Sequence, residues 1–303
     1  MKAVVLDEYG GPEKLMYRDS PMPDYGDNEV LVKVKATSVN PVDYKLRSGA
    51  AKARMPLEFP AILGRDLVGE VVETGRDVTG FPKGMRVMGL ANGTYAEYTT
   101  AKADVLAPIP EALTFEQAAA LPLVVTTGAQ LIERAVKPQP GQTVLVTGAL
   151  GGVGRSAVHV ARKHGARVLA GVRASEKQEA AKLDVDGVVA IDDEDEIGRL
   201  HDLDAIADTV SGPTIERLLN AIREDGVLGS VLGEPPGAKK HNVRVQAIMA
   251  RPDASRLYQL AEDAARGEFS IPIDRVLRLD QAAEAHRLAE NHEVNGKIVL
   301  EAA

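Results

Sequence analysis

The sequence contains no cysteine, and this absence excludes several kinds of site at once. Without a thiol the chain forms no disulfide, offers no thiolate to a metal and has no cysteine nucleophile. Long apolar runs are absent too, since none approaches the roughly 20 residues that a membrane-spanning helix needs. The stretch from Met1 to Asp7 has too few apolar residues for a secretory signal. We therefore expect a cytoplasmic protein.

Basic residues are scarce relative to acidic ones, with 36 Lys and Arg against 44 Asp and Glu and a net charge of -8. This balance disfavours non-specific binding to nucleic acid, and no block of Lys and Arg with interleaved aromatic residues argues otherwise. The acidic run from Asp192 to Glu196 is predicted to be a hydrated loop, because like charges stay in water. We expect a small-molecule partner, and neither a nucleic acid nor a membrane.

The length and pattern of the chain predict two domains. With 303 residues it exceeds the roughly 100 to 200 residues of a common single domain. Residues 1–122 carry short strand signals separated by Gly and Pro, which predict a β-rich unit. Strand and helix patterns alternate from residue 143 to residue 266, and this alternation predicts a parallel sheet covered by helices. The predicted fold class is therefore α/β.

Helix signals mark the change between the two halves. Thr114 stands in an N-cap position, and Gln117 follows three residues later as in a capping box. A second helix is predicted from Thr126 to Val136. Beyond it, the predicted strands cover residues 143–147, 166–172, 187–191, 204–209, 226–232 and 243–249, and the predicted helices cover residues 152–164, 175–183, 213–223 and 253–266.

The stretch TGALGGVG, from Thr147 to Gly154, stands between a predicted strand and a predicted helix. Glycines let a backbone come close to a diphosphate, and the first N–H groups of the following helix attract its negative charge. The alternative is an ordinary glycine-rich loop, and Ala149 stands where the usual pattern has its first glycine. We predict a bound dinucleotide, contacted by Gly151, Gly152, Val153 and Gly154.

The end of the next predicted strand indicates which dinucleotide binds. NAD-binding folds place an acidic residue there, on the ribose hydroxyls, whereas this chain has Arg173. Arg173, Ser175 and Lys177 can donate hydrogen bonds to the 2′-phosphate of NADP, which a carboxylate would repel. The alternative is that the two cations are merely solvated and that Glu176 faces the ribose. We predict NADPH.

Further motifs follow one another along the chain. They are Asn40-Pro-Val-Asp-Tyr-Lys-Leu-Arg-Ser-Gly49, Gly64-Arg-Asp66, Gly93-Thr-Tyr-Ala-Glu-Tyr98, Leu121-Pro-Leu-Val-Val-Thr-Thr127, the turn at 147–154, Asp208-Thr-Val210 and Gly296-Lys-Ile-Val-Leu300. In this order they resemble the motifs of the medium-chain dehydrogenase/reductases, and within them the zinc-free quinone oxidoreductase (zeta-crystallin-like) branch. The resemblance covers essentially the whole chain, and Ala149 is typical of that branch.

The resemblance implies a GroES-like β-rich catalytic domain over residues 1–122 and 267–303, and a Rossmann NADP-binding domain over residues 123–266, with substrate and nicotinamide in the cleft between them. Zinc-dependent relatives have ligands where this chain has Asn40 and Arg65, so no metal is expected. The implied reaction is hydride transfer from NADPH to a quinone or an α,β-unsaturated carbonyl compound, without a metal Lewis acid.

The resemblance also implies roles for the first motif. Asn40 is expected to orient the substrate or the nicotinamide ribose. Tyr44 or Lys45 is expected to donate a hydrogen bond or a proton to the developing oxyanion. Asp43 is a further candidate in the cleft, although Asp43 and Arg47 are at least as well explained as a pair that holds the loop.

Five further residues are implied to contact the cofactor. Thr127 is expected on the nicotinamide side, or else as a plain N-cap. Lys297 is expected to reach the pyrophosphate, or else to be a solvated lysine. The last three, which otherwise belong to the core, border the nicotinamide: Val231, Leu232 and Gly233.

Two other functions stay open: a catalytically weak NADPH-binding protein with a structural or regulatory role, and an NADPH-dependent carbonyl reductase of the same fold. The histidines, among them His159 and His286, are expected to be solvated rather than catalytic. A homodimer is expected through the strand at residues 243–249, because an apolar sheet edge is a liability if it stays unpaired.

Overall fold

The computed structural model describes residues 1–241 and 243–302. The strands of this described chain are β1 (Lys2–Leu6), β2 (Leu15–Asp19), β3 (Glu29–Ser38), β4 (Ala61–Ile62), β5 (Asp66–Thr74), β6 (Arg86–Leu90), β7 (Tyr98–Lys102), β8 (Leu106–Pro108), β9 (Thr143–Thr147), β10 (Arg167–Val172), β11 (Gly187–Ala190), β12 (Leu203–Asp208), β13 (Ile222–Ser230), β14 (Arg244–Ala247), β15 (Ile273–Arg278) and β16 (Lys297–Glu301).

The α-helices of the same residues are α1 (Pro41–Arg47), α2 (Phe115–Ala119), α3 (Pro122–Gln130), α4 (Gly152–Lys163), α5 (Lys177–Ala180), α6 (Glu194–Gly198), α7 (Gly212–Leu218), α8 (Ala254–Ala265) and α9 (Ala282–Glu290). A π-helical segment, Leu131–Val136, follows α3 directly. Within the described chain no helix combines the length and the apolar character that crossing a bilayer would require.

The chain folds into two compact units. The β-rich unit comprises Met1–Leu123, Pro252–Gly267 and Ile271–Ala303, and the α/β unit comprises Val124–Arg251 and Glu268–Ser270. Helix α8, which the sequence-based division put with residues 123–266, falls in the β-rich unit, where it packs against β8. Its buried Leu257 and Leu260 account for this placement, because they supply the apolar face of an amphipathic helix.

The β-rich unit contains a three-stranded sheet, ordered β2-β1-β4, and a seven-stranded sheet, ordered β15-β16-β3-β5-β6-β8 with β7 also paired to β3. Alternate residues of β3 point inward, and Val30, Val32 and Val34 are fully buried. The last strand, β16, pairs with β3 in antiparallel register. The C-terminal segment thus completes the sheet that the N-terminal residues begin, as the GroES-like resemblance implies.

The α/β unit is built on a six-stranded sheet with the order β11-β10-β9-β12-β13-β14, and every pair in it is parallel. Numbered from β9, this is the 3-2-1-4-5-6 order of a doubly wound dinucleotide-binding fold. Val144 to Val146 of β9 and Ala205 to Ala207 of β12 are buried apolar runs, as expected of strands covered on both faces. The predicted α/β fold class is confirmed, and each predicted strand of this sheet overlaps an observed one.

Local signals gave mixed results at the helix ends. The capping box is confirmed, because Gln117 N donates to Thr114 Oγ1 at 3.2 Å and Thr114 N donates to Gln117 Oε1 at 2.9 Å. The loop predicted for the acidic run is wrong, since Asp193 caps α6 and the acids occupy its first turn, where the helix dipole favours them. Helix α1 was not predicted, although Pro41 follows Asn40 at a position typical of a helix start.

Candidate functional site

The glycine turn of the α/β unit, residues 147–154, has the geometry that the sequence predicts. Gly148 adopts a φ of +61°. Gly154 has no room for a side chain, because a Cβ there would lie 2.1 Å from the carbonyl oxygen of Gly148. The two positions therefore need glycine for different reasons, one for its backbone conformation and one for close packing.

The start of α4 presents its free N–H groups at this turn. Gly151 is the N-cap, and the bond from Arg155 N to Gly151 O, 2.8 Å long, begins the helical pattern. The amides between these two residues precede the first helical bond, and amides at such a helix start can bind an anion. Because α4 has twelve residues, its dipole adds to this attraction.

Helix α3 packs against the first turns of α4. A Cβ on Gly152 would lie 3.0 Å from Val124 Cγ1, and Ser156 Oγ donates to Val125 O at 2.9 Å. The helix that carries Thr127 is therefore in contact with the glycine turn. Thr127 lies inside α3, which begins at Pro122, so its alternative role as an N-cap is wrong.

Asp208 joins three strand ends of the parallel sheet. Its Oδ1 accepts hydrogen bonds from Thr147 Oγ1 at 3.2 Å and from the amides of Val210 and Ser211 at 3.1 and 2.9 Å. Its Oδ2 accepts from Ser230 Oγ at 2.9 Å. The carboxyl ends of β9, β12 and β13 are thereby fixed to one another, at the edge where such sheets bind their ligands.

The residues after β13 lie at the same edge. Val231 N donates to Asp208 O at 3.2 Å, and Leu232 N donates to Ser230 Oγ at 3.1 Å. Leu232 is 41% exposed, so its alternative assignment to the core is wrong. Gly233 follows with a φ of +105°. The predicted contact of these residues with a nicotinamide stays a prediction.

The end of β10 leaves one cation accessible. The Arg173 side chain is 71% exposed and lies 4.0 Å from Glu176. The Glu176 carboxylate accepts from Arg173 N at 3.0 Å, so it bonds to its own loop. Lys177 Nζ donates to Glu196 Oε1 at 2.6 Å, whereas Ser175 is exposed. Arg173 and Ser175 are thus the accessible donors, and Lys177 is held in an ion pair.

A second set of polar side chains is buried in the β-rich unit. The register explains why they meet: Val299 lies opposite Ser38 across β16 and β3, and Val68 lies opposite Ala36 across β5 and β3. The end of β3 and the starts of β5 and β16 therefore come together at one end of the sheet. We call these residues the polar cluster: Ser38, Asn40, Asp43, Asp66, Tyr95, His286 and Lys297.

Asn40 connects the two oppositely charged residues of the polar cluster, Asp66 on β5 and Lys297 on β16. Its Nδ2 donates to Asp66 Oδ2 at 2.6 Å, and its Oδ1 accepts from Lys297 Nζ at 2.6 Å. Lys297 Nζ also donates to Val39 O at 2.9 Å and lies 3.6 Å from Asp66 Oδ2. Both ends of the Asn40 amide are therefore engaged, and the residue is 1% exposed. Its predicted role in orienting a ligand stays a prediction.

Asp66 has two further partners. Ser38 Oγ donates to its Oδ2, and the amide of Leu123, in the first turn of α3, donates to its Oδ1 at 2.7 Å. Lys297 is buried as well, which lowers the pKa of its ammonium, while Asp66 and Asp43 act in the opposite direction. The alternative of a solvated Lys297 is wrong, and its predicted contact with a pyrophosphate stays a prediction.

Asp43, Tyr95 and His286 form the inner part of the cluster, and each is fully buried. Asp43 Oδ2 accepts from Asn40 N at 2.8 Å and from Tyr95 Oη at 3.2 Å. Tyr95 Oη also lies 3.1 Å from His286 Nε2. The expectation of a solvated His286 is wrong, because α9 turns this residue into the core. That of a solvated His159 is wrong too, since it is buried and stacks on Phe269.

Burial shifts the ionisation of all three groups. It raises the pKa of Asp43 to about 7, with Asp66 adding to the rise and the Asn40 amide, Lys297 and Tyr95 opposing it. It lowers the pKa of His286 to about 3, assisted by the positive charge of Arg47. It raises the pKa of Tyr95 well above its ordinary range. The cluster therefore holds a neutral histidine beside a carboxyl group that titrates near neutral pH.

Helix α1 divides the first motif between a buried and an accessible face. Arg47 donates from Nε to Gly10 O at 3.1 Å and from a terminal nitrogen to Glu290 Oε2 at 2.6 Å. The predicted pairing of Asp43 with Arg47 is therefore wrong. Tyr44 is half-buried, and burial raises the pKa of its hydroxyl, with Glu290 and Asp43 adding to the rise. Lys45 is exposed, so Tyr44 and Lys45 are the accessible donors of α1.

Three residues of the site were not assigned a role from the sequence. Asp66 and Tyr95 occur in the motifs Gly64-Arg-Asp66 and Gly93-Thr-Tyr95, and Asp208 opens the motif Asp208-Thr-Val210. Each is 0% exposed and hydrogen-bonded to residues far along the chain. A polar residue inside a strand pattern otherwise made of apolar residues is the signal that indicates such a position.

Known proteins resemble this chain along its length. The family model of the alcohol dehydrogenase GroES-like domain matches residues 26–111, and that of the zinc-binding dehydrogenase matches residues 183–300. The quinone oxidoreductase of Mus musculus is 39% identical over 172 residues, which cover 56% of this chain and 51% of that protein. The chain thus spans about half the length of the mammalian quinone oxidoreductases that it matches.

Two further comparisons cover nearly the whole chain. The mitochondrial NAD(P)H oxidoreductase RTN4IP1 of Mus musculus is 30% identical, and the match covers 99% of this chain and 89% of that protein. Among solved structures, the Escherichia coli quinone oxidoreductase complexed with NADPH is 26% identical with a TM-score of 0.88, and 100% of each chain is covered. Both the fold and the sequence therefore place this chain among oxidoreductases.

We predict that Asp43→Asn changes the pH dependence of the free energy of unfolding. The folded pKa of Asp43, about 7, lies above the ordinary 3.8, so its stabilising proton is fully effective below 3.8 and the stabilisation is lost as the pH rises through 7. His286, at about 3 against 6.5, stabilises above pH 6.5 and loses this contribution as the pH falls. In wild type the free energy of unfolding falls with pH through Asp43 and rises with pH through His286, and the two contributions offset each other. The variant retains only the contribution of His286.

Urea unfolding from about pH 4 to about pH 8 measures this difference. The free energy of unfolding of Asp43→Asn, relative to wild type, is expected to rise with pH up to about 7, by at most ~1.4 kcal/mol per pH unit. The exposed Asp24→Asn serves as the control and is expected to give a flat difference. An equally flat difference for Asp43→Asn would contradict the buried titration.

Proposed function

Because the chain belongs to the medium-chain dehydrogenase/reductase family, in its zinc-free quinone oxidoreductase branch, we propose that it reduces a quinone or an α,β-unsaturated carbonyl compound with NADPH. The observation that carries the cofactor is the glycine turn at the start of α4, beside the strand β10, which is followed by Arg173 instead of an acid. Backbone amides there attract a pyrophosphate, and an exposed guanidinium favours a phosphorylated ribose.

The residues at the expected zinc position do not suit a metal. The Asn40 amide oxygen accepts from the Lys297 ammonium at 2.6 Å, and Arg65 bonds to Asn92. The Lys297 ammonium beside Asn40 repels a divalent metal ion, Arg65 offers no ligand atom, and the sequence contains no cysteine. The proposed reaction therefore proceeds without a metal Lewis acid.

A metal-free reaction needs an acceptor whose carbon is already electrophilic. Bound NADPH supplies a hydride, which carries two electrons to that carbon, and the acceptor oxygen then takes up a proton. In this chain the accessible donors of α1, Tyr44 and Lys45, are the groups proposed to hydrogen-bond that oxygen and to provide the proton. Asn40 and Asp43 are proposed to hold the first turn of α1 in place.

The cofactor residues contribute unequally to this proposal. The first-turn amides of α4 are proposed to bind the pyrophosphate, with Arg173 and Ser175 on the 2′-phosphate. Lys177 is in an ion pair with Glu196 and is proposed to help only after that pair opens. Thr127, Val231 and Leu232 are proposed to border the nicotinamide. The cytoplasmic location stays a prediction.

The first test is NADPH oxidation by the purified full chain against a panel of quinones, alkenals and enones. We expect turnover with at least one acceptor, slower turnover with NADH, and no loss of rate after dialysis against a chelator. A product that keeps its C=C bond and loses its C=O would identify a carbonyl reductase instead. Tight NADPH binding without turnover on any acceptor would identify a catalytically weak binding protein.

The second test concerns the choice of cofactor. Arg173→Asp is expected to weaken NADPH binding by roughly tenfold to a hundredfold, because it replaces a charge-assisted bond by repulsion, and to spare NADH. Isothermal titration of both cofactors measures the effect. Arg167→Asp, at the exposed opposite end of β10, is the matched control. Equal NADPH affinity in Arg173→Asp and wild type would contradict the assignment.

The third test concerns assembly, because β14 is an outer strand of its sheet. Arg244, Gln246 and Ala247 are exposed there, and the nearby Met249 is 65% exposed. We propose a homodimer through this edge, and light scattering at micromolar concentration is expected to give a dimer mass. Met249→Lys is expected to shift the mass toward a monomer, whereas the exposed Met22→Lys is not. A monomeric wild type would exclude the dimer.

A further inference from the structure

We propose that Tyr95 is a positioning residue for the reaction, acting through Asp43 on the first turn of helix α1. This inference rests on the proposed function, because α1 carries Tyr44 and Lys45, the proposed donors to the substrate oxygen. Tyr95 is fully buried and lies between α1 and α9, so its hydroxyl acts on neighbouring side chains.

The backbone holds Tyr95 firmly in the β-rich unit. Its N–H donates to Leu63 O at 3.0 Å, and its carbonyl accepts from Val4 N at 2.8 Å. Its ring meets that of His286 edge to face, with centroids 5.6 Å apart and an interplanar angle of 77°. The hydroxyl therefore occupies a fixed point, from which it reaches Asp43 Oδ2 and His286 Nε2.

Asp43 transmits this fixed position to the start of α1. It is the third residue of the helix, and its Oδ2 accepts both the Tyr95 hydroxyl and the amide of Asn40, the N-cap residue. Among the described residues, its Oδ1 has no hydrogen-bond partner. One carboxylate oxygen thus ties the N-cap to the tyrosine, and losing either donor weakens the hold on the other.

A single proton reverses the direction of the hydrogen bonds that link Asp43, Tyr95 and His286. When Asp43 is ionised, Tyr95 donates to it, and His286 Nε2 must carry its hydrogen and donate to the Tyr95 oxygen. When one proton enters at His286 Nδ1, which has no hydrogen-bond partner among the described residues, the Nε2 hydrogen passes to the Tyr95 oxygen and the Tyr95 hydrogen passes to Asp43 Oδ2. Asp43 then donates to Tyr95, and the Tyr95 hydroxyl donates to His286 Nε2. A proton on Asp43 Oδ1 would have no acceptor among the described residues, so the proton lies on Oδ2, where it replaces one of the two accepted bonds. The ionised form accepts both bonds at Oδ2, and we assign the well-positioned α1 to that form.

The charges around Asp43 set its pKa, and therefore the pH at which these hydrogen bonds reverse. Asp66 on β5 raises the pKa of Asp43, whereas Lys297 on β16 and the Tyr95 hydroxyl lower it. Arg47 on α1 acts on the neighbouring Tyr95 and His286, and Glu290 on α9 pairs with Arg47. Removing the Tyr95 hydroxyl takes away one stabilising donor, so Asp43 keeps its proton to higher pH.

Tyr95→Phe in the full chain tests the proposal, with Tyr9→Phe as the matched control. Tyr9 is a partly buried tyrosine of the same unit, whose hydroxyl accepts from Leu57 N. The assay is NADPH oxidation with the best acceptor of the panel, followed as kcat and KM over about pH 6 to about pH 9. Both variants lose one hydroxyl, so general destabilisation is matched.

We expect Tyr95→Phe to lower kcat near pH 7 about fivefold, and we expect kcat to recover at higher pH. The acid-side midpoint of the pH profile should move up by roughly one unit, because a hydrogen bond to a charged group changes its ionisation about tenfold. The KM for NADPH should change less than about twofold. Tyr9→Phe should keep the wild-type profile. An unshifted profile in Tyr95→Phe, or equal slowing of both variants at every pH, would overturn the proposal.

Infrared titration separates this inference from the proposed function. The C=O stretch of a protonated carboxyl group reports on Asp43 directly, and Asp43→Asn identifies its band. We expect the band to persist to higher pH in Tyr95→Phe than in wild type. If the wild type does not oxidise NADPH with any acceptor of the panel, the proposed function alone is overturned. If the band titrates at the same pH in both proteins, the coupling between Tyr95 and Asp43 is overturned.

Discussion

The antiparallel pairing of β16 with β3 is the constraint on which the polar cluster depends. It sets Val299 opposite Ser38, and this register carries Lys297 to the side of Asn40. The antiparallel pairing of β5 with β3 brings Asp66, the first residue of β5, to the same end of the sheet. A buried carboxylate is stable only beside a compensating charge or donor, so the first third of the chain relies on a lysine supplied by its last residues.

Hydrogen bonds to charged side chains also fix the position of α1. Its buried face carries Asp43 and Arg47, four residues apart on one side of the helix, but they do not pair with each other. Asp43 bonds to Tyr95, and Arg47 bonds to Glu290, so α1 is tied separately to the loop before β7 and to α9. Tyr44 is left half-buried and Lys45 exposed, and a helix held on one face can position donors on the other.

The site proposed in the α/β unit differs from the polar cluster, because backbone amides rather than buried side chains are proposed to bind its ligand. The amides at the start of α4 and the close approach of Gly154 to Gly148 depend on residues within one short stretch. Asp208 then fixes the neighbouring strand ends through Thr147 and Ser230. A site of this kind needs few specific side chains, and Arg173 is the exposed side chain that we propose to select between two dinucleotides by charge.

The features that rest on local interactions could be predicted from the sequence. The strand, turn and helix at residues 143–164, the capping box at Thr114 and the alternation that gives a parallel sheet all rest on neighbours within a few residues. Helix α1 was within reach, since Asn40, Pro41 and Asp43 stand at the spacing of a helix start. The polar cluster could be recognised only in the folded protein, because Lys297 and Asn40 are 257 residues apart in the sequence, and Tyr95 and His286 are 191 residues apart. Such pairs leave no periodic pattern, and burial, which moves the pKa of Asp43 to about 7, exists only once the sheet has closed around it.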